Sequence, residues 1–218
     1  MKSENPYNFI VIEGNIGAGK TTLATKMAED LNAKLILEQF ADNPFLPKFY
    51  AEPEKHAFPL ELSFLAERYH QLKKELGSHD IFNPCIISDY YFVKSLIFAQ
   101  SNLKEDEFAL YTKLFHIIND ALPKPDLLVF LYHDIDRLQE NIKKRGRVYE
   151  QNISNEYLNR IQSAYFDFLK QVPEQRIVII DVNSVDYATN TKDYELIVQL
   201  LKKPYPLGIT HIKAGAME

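Results

Sequence analysis

The sequence predicts an α/β fold built on a central parallel sheet, and three observations predict it. Five short apolar runs, at 9–12, 34–37, 85–88, 127–131 and 177–180, are nearly continuous rather than alternating. Strands read this way when crossover helices cover both faces of a sheet. Longer stretches with helical spacing follow, at 20–31, 60–76, 92–99, 106–121, 135–144, 155–171 and 194–201. Finally, a glycine-rich turn joins the first run to the first helix. The expectation is one domain over 1–218, a five-stranded parallel sheet flanked by helices, with ligands at the carboxyl ends of the strands.

The first run ends in Gly14-Asn15-Ile16-Gly17-Ala18-Gly19-Lys20-Thr21-Thr22. Gly14, four residues, then Gly19-Lys20-Thr21 is the full phosphate-loop spacing, and its place between strand and helix predicts a P-loop NTPase fold. Glycines let backbone N–H groups turn around phosphates, the helix N-terminus adds partial positive charge, Lys20 reaches the β and γ oxygens, and Thr21 offers a hydroxyl to Mg²⁺. A turn that only joined strand to helix would need neither Lys20 nor Thr21.

Glu38 closes the second run, at the sheet edge where ligands are expected, so its carboxylate is a candidate base for an acceptor hydroxyl. A strand-terminal surface glutamate is the plainer alternative. The third run holds the one cysteine, Cys85, beside Pro84, Ile86 and Ile87, and reads as a buried structural thiol. Beyond the fourth run and its helix comes Lys143-Lys144-Arg145-Gly146-Arg147-Val148-Tyr149-Glu150. Here Gly146 permits a loop, and Arg145 and Arg147 suit a lid over 143–153 that closes on a transferred phosphoryl group. Residues 208–218 carry no periodic pattern and read as a flexible tail.

Composition narrows the class. A net charge of −5 argues against a nucleic-acid polymer or an anionic membrane as partner. The six histidines show no paired ligand spacing, so a zinc site is not expected. No run approaches a membrane span and the N-terminus lacks a signal-peptide plan, so a cytoplasmic protein is expected. No Asn-Lys-x-Asp run marks a guanine-reading switch, and the chain is short for a motor or transporter. A small kinase using ATP fits best.

These residues resemble the deoxynucleoside kinase family over nearly the whole chain, with thymidylate-kinase-like topology. The stretch Ile12 to Thr22 is similar to the family's phosphate loop, and Glu38 falls where the family keeps the glutamate that deprotonates the 5′-hydroxyl. Tyr50 and the run AEPEKHAFPLE to Glu61 resemble the segment joining a sugar-binding tyrosine to a base-reading residue. The segment Arg145-Gly146-Arg147 with Glu150, Gln151 and Ile153 resembles the lid, in which arginines contact phosphates and the glutamate holds the 3′-hydroxyl. Asp181-Val182-Asn183 is similar to the loop flanking the ATP adenine.

Two departures matter. Asp89-Tyr90-Tyr91 stands where animal members have Glu-Arg-Ser, which resembles a bacterial deoxyguanosine/deoxyadenosine kinase branch. Asp89 can still serve Mg²⁺ or the 5′-hydroxyl, and Lys94, one helical turn after Tyr90, is placed to restore the missing charge. Glu61 replaces a base-reading glutamine; an ionised carboxylate suits guanine N1–H and N2–H, while a protonated one suits adenine. Guanine is expected ahead of adenine, with Arg68, two turns on, donating to guanine O6 or pairing with Glu61.

The resemblance implies ATP and Mg²⁺, a deoxynucleoside substrate and a homodimer, with the helices at 60–76 and 92–99 as candidate shared faces. The alternatives are a thymidylate-type nucleoside monophosphate kinase and a non-catalytic nucleotide-binding subunit. The acidic and aromatic acceptor side, with Glu38 and Tyr90, favours a neutral hydroxyl acceptor over a phosphorylated one.

Overall fold

Every second residue of the central strands faces the opposite layer, and the two layers of core divide accordingly. The computed structural model describes residues 6–39, 43–77 and 85–215; Phe40, Pro84 and the last three residues of the tail lie outside them. Strands β1 (Phe9–Gly14), β2 (Lys34–Ile36), β3 (Ile86–Ser88), β4 (Leu127–Tyr132), β5 (Arg176–Asp181) and β6 (Gly208–Lys213) form one sheet in the order β2-β3-β1-β4-β5-β6. All five pairings are parallel.

On one face Ile10, Ile12, Val129, Leu131, Val178 and Ile180 pack against helix α1 (Lys20–Leu31), α6 (Ile135–Arg145) and α8 (Thr191–Leu201). On the other, Phe9, Val11, Leu128, Phe130, Ile177 and Ile179 meet α3 (Pro53–Leu76), α4 (Lys94–Asn102), α5 (Glu105–Asn119) and α7 (Asn155–Lys170). Burial on both faces is why these strands read as continuous apolar runs. A short helix, α2 (Leu46–Ala51), joins α3 in a smaller cluster of Phe49, Ala57, Leu60 and Phe64 that roofs the carboxyl end of the sheet.

Local chemistry sets the helix ends. Gly19 enters α1 in the left-handed region, φ 80°, and Asn32 leaves it at φ 50°, its N–H bonding the carbonyls of Ala28 and Glu29. Ser154 caps α7 by accepting from the Tyr157 N–H at 3.1 Å. Helix α3 starts seven residues before the expected position, at Pro53, and carries Pro59 inside it. Pro59 lacks an amide, but so early in the helix it removes a single i→i−4 bond, and Leu60, Phe64 and Leu65 still present a buried stripe.

The sheet has six strands rather than five, and the sixth corrects the reading of 208–218 as a flexible tail. Gly208 to Lys213 pairs residue by residue with Arg176 to Asp181. Its isoleucines, Ile209 and Ile212, are three apart, so no two-residue alternation marks it as a strand. Pairing with β5, rather than its own pattern, makes it one.

Candidate active site

The carboxyl ends of β1, β2 and β3 bring Gly14, Glu38 and Asp89 to one edge, because β1 and β2 both pair with β3, through Ile10 to Ile87 and Ile36 to Ser88. The loop after β1 is held from three sides. Lys20 Nζ donates to the carbonyls of Gly14 and Asn15, 2.9 Å each. Asn141 Nδ2 of α6 donates to Gly17 O at 2.9 Å and the Tyr187 hydroxyl to Ala18 O at 2.7 Å. With the Ala18 carbonyl fixed toward Tyr187, the trans peptide turns the Gly19 N–H to the opposite side. Asn15, buried, anchors the loop to α7 through Leu158 O at 2.8 Å and accepts from the Ile16 N–H at 2.8 Å. Thr22 follows Thr21 into α1 and lines the neighbouring cavity.

A chain of short bonds ties this loop to the neighbouring strands. The Thr21 hydroxyl donates to Asp89 Oδ2 at 2.5 Å, and Asp89 Oδ1 accepts from the Glu38 backbone N–H at 2.7 Å. Glu13 fixes the same corner from below, accepting from the Tyr91 N–H at 2.7 Å and the Tyr165 hydroxyl at 2.9 Å. Burial holds the Glu13 carboxyl above its ordinary value, partly offset by Lys94 and Lys20.

Glu38 itself is gripped by two cations. Its Oε1 accepts from Arg68 Nε (2.9 Å) and Nη2 (2.6 Å), and its Oε2 from Lys94 Nζ (2.5 Å). Burial pushes Glu38 up, but Lys94 and Arg68 outweigh it and bring the carboxyl down to about 2. One alternative falls and one expectation changes here. Glu38 is a locked carboxylate inside the cavity, which removes the surface alternative. Arg68 pairs with Glu38, and through Nη1 with Ser95 Oγ at 2.8 Å, rather than with Glu61. The reason is the short distance from β2 to α3 across the cavity, which a heptad count along one helix cannot register. Lys94 carries positive charge to the site from the first residue of α4.

The lid residues converge as well. Gly146 leaves α6 at φ 74°, and the 3₁₀ turn Val148–Glu150 follows. Glu150, buried, accepts from Arg145 Nη2 and, at 3.2 Å, from Arg147 Nη1. Tyr149 stacks on Tyr50, ring centroids 5.7 Å apart, so the lid touches helix α2 directly. Gln151 Nε2 closes the turn on Arg147 O at 3.2 Å.

One cavity joins these groups: Lys20, Thr21, Glu38, Arg68, Asp89 and Lys94 at one end, Tyr50, Glu61, Phe64, Asn102 and Tyr157 at the other, with Arg145, Arg147 and Glu150 over it. Burial raises the Glu61 carboxyl to about 7, against a hydrogen bond from Asn102 and the charges of Arg68 and Lys94. Asn102 escaped the sequence reading, yet Lys94, Phe98 and Asn102 recur every four residues on α4, which is the signal that finds it.

A second cavity lies on the outer side of the loop, walled by residues 17–22, His133, Arg137, Val185, Asp186 and Tyr187. Asp181, Val182 and Asn183 do not line it. Asp181 Oδ1 accepts from the Asn183 N–H at 3.0 Å, Asn183 Oδ1 accepts from the Asp134 N–H at 2.9 Å, and Val182 is fully buried. The turn after β5 is thus spent on its own closure, and the wall begins two residues later.

The sequence profile of the deoxynucleoside kinase family matches residues 10–204. Deoxyguanosine kinase of Bacillus subtilis (strain 168) is 36% identical over 203 residues, covering 91% of this chain and 98% of its own. Deoxyadenosine kinase of Dictyostelium discoideum is 33% identical, covering 90% and 78%. Among solved structures, deoxyadenosine kinase from M. mycoides with bound dATP is 25% identical with a TM-score of 0.77, covering 89% of this chain and 100% of that one. A loop built to turn amides toward phosphate, a buried carboxylate beside it and a match over most of the chain lead to one conclusion: the chain belongs to the deoxynucleoside kinase family.

Proposed function

We propose that this protein transfers the γ-phosphoryl group of ATP to the 5′-hydroxyl of a purine deoxynucleoside, deoxyguanosine ahead of deoxyadenosine, giving the 5′-monophosphate for nucleotide salvage in the cytoplasm. The observation that carries this is the bonded chain Thr21–Asp89–Glu38, which couples the phosphate loop to an acceptor cavity at hydrogen-bond distances. A single domain over 1–218 holds both halves.

Phosphoryl transfer passes through a loose transition state in which positioning and charge stabilisation dominate. Glu38, ionised and held by Arg68 and Lys94, accepts the hydrogen bond of the 5′-hydroxyl and aims it at phosphorus. A carboxylate this acidic is a weak base, so it takes the proton late, once the new O–P bond has acidified the hydroxyl. Lys20 and the amides of residues 14–22 hold the donor phosphates, and Arg145 and Arg147 neutralise charge on the transferred group. Tyr50 and Glu150 hold the sugar 3′-hydroxyl. Val185, Asp186 and Tyr187, next to the Asp181-Val182-Asn183 turn, border the donor base.

The oxygens of Thr21 and Asp89 converge beside the loop and suit a hard cation. Mg²⁺ held by one or two protein oxygens plus phosphates is common in kinases. Bound there, it would neutralise charge on the phosphates being transferred.

The protein acts as a homodimer. The helices expected to form its shared face bury their apolar sides against each other and the sheet. Helix α5 instead exposes Leu110, Leu114 and Ile117, an i, i+4, i+7 stripe, and this stripe supports α5 as the shared face. No helix among the described residues is long and apolar enough to cross a membrane.

An assay of purified protein with ATP and the eight common nucleosides, scored by kcat/KM, tests the reaction. The purine deoxynucleosides should lead; absence of a 5′-monophosphate from either one refutes the proposal.

A further inference from the structure

The far end of the acceptor cavity holds a buried oxygen that no group in the described protein bonds. Glu61 is 1% exposed; its Oε1 accepts from Asn102 Nδ2 of α4 at 2.7 Å, and its backbone carbonyl accepts from the Tyr111 hydroxyl of α5 at 3.4 Å. Oε2 is buried without a partner. A buried acceptor with no donor is destabilising, and one that faces a cavity marks half of a contact that a ligand completes.

We infer that a single proton on Glu61, confined to Oε2 by the Asn102 contact, decides whether the acceptor cavity takes guanine or adenine. The inference rests on the acceptor cavity being the deoxynucleoside site. As a carboxylate, Glu61 offers acceptors only, which guanine meets with two adjacent donors, N1–H and N2–H. As a neutral acid, it donates to adenine N1 and accepts from adenine N6–H. Asn102 decides where the proton goes. Its amide keeps Oε1 an acceptor in both states, so Oε2 alone takes or gives the proton.

The surroundings keep both forms populated near neutrality. Burial is the largest influence and raises the carboxyl to about 7. Asn102, Arg68 of α3 and Lys94 of α4 pull it down, Glu38 after β2 pushes it up, and the hydroxyls of Tyr111 on α5 and Tyr157 on α7 face it uncharged. Below about 7 the acid dominates and adenine is favoured. Above it the carboxylate dominates and guanine is favoured.

The test is the ratio of kcat/KM for deoxyadenosine to that for deoxyguanosine, measured from pH 6 to pH 8. Titrations that affect both substrates equally, including those of the phosphate side, cancel in this ratio. It should fall about tenfold per pH unit, following the ratio of acid to carboxylate. Glu61→Gln fixes a donor and an acceptor side by side, so its ratio should favour deoxyadenosine and be flat with pH. Asn102→Ala removes a hydrogen bond that pulls the Glu61 carboxyl down, so its ratio should keep the wild-type slope but stand displaced toward deoxyadenosine at every pH. Turnover of both purines at a constant ratio in the wild-type protein overturns the proton switch and leaves the kinase reading standing. Turnover of neither purine overturns both.

Discussion

Glu38 shows how much a single residue depends on its neighbours. Alone in a buried site it would be protonated; with Arg68 at 2.6 Å and Lys94 at 2.5 Å it stays ionised down to about pH 2. Because its folded value is depressed, it adds stability that is fully present above the ordinary carboxylate value and disappears as pH falls through about 2. Lys94→Met removes one of the two cations while burial remains. The Glu38 carboxyl should then rise, and the acid limb of the kcat/KM profile should move to higher pH. The lost partner of a buried pair should also cost on the order of 3 kcal/mol. A variant with an unmoved acid limb and unchanged denaturation midpoint would show that Lys94 is only a neighbour of Glu38. Arg68 is held in addition by Ser95, so it stays in place in this variant.

At the scale of elements, the phosphate loop and the lid both turn on glycines at positive φ, with different surroundings. A Cβ on Gly19 (φ 80°) would stand 2.4 Å from the Tyr187 hydroxyl, the group that pins Ala18 O. One on Gly146 (φ 74°) would meet no atom within 4 Å. Gly146→Ala therefore carries only the backbone penalty of about 1 kcal/mol, and kcat should drop less than tenfold. Gly19→Ala adds a clash inside the loop, so KM for ATP should rise by more than tenfold as the Tyr187 contact breaks. Equal effects of the two substitutions on KM for ATP would refute the role given to Tyr187. The lid is tied down at its other end by the Tyr149–Tyr50 stack, which links it to the roof of the acceptor cavity rather than to the sheet.

At the scale of the whole molecule, α5 presents an uncovered apolar stripe, with Ile117 76% exposed beside Leu110 and Leu114. Charged residues would be expected there on a monomer, and the adjoining face of the helix already buries Tyr111 and Phe115 in the core. Ile117→Glu should convert the protein to a monomer in sedimentation equilibrium without lowering its melting temperature by more than a few degrees. A wild-type protein that sediments as a monomer, or a variant with the wild-type mass, would remove α5 from the interface. The same helix supplies Tyr111, whose hydroxyl bonds the backbone of Glu61, so the α5 surface and the Glu61 end of the cavity share one rigid element.

Some of this was legible in the chain alone. Strands β1 to β5 and the start of α1 follow from continuous apolar runs and a glycine-lysine-threonine turn, because local spacing encodes them. Glu38, Tyr50, Asp89 and the arginines of the lid could be named from position and resemblance. The edge strand β6 could not, since Ile209 and Ile212 break the two-residue period and its partner β5 supplies the order. Nor could the company that Glu38 and Glu61 keep. Arg68, Lys94 and Asn102 reach them from α3 and α4 across a cavity, and which charge meets which carboxylate is settled by distances between elements. The sequence by itself determined the strand, glycine turn and helix that make the loop; the tertiary structure decided which carboxylate stays charged and which can carry a proton, because burial and opposing charge act through space.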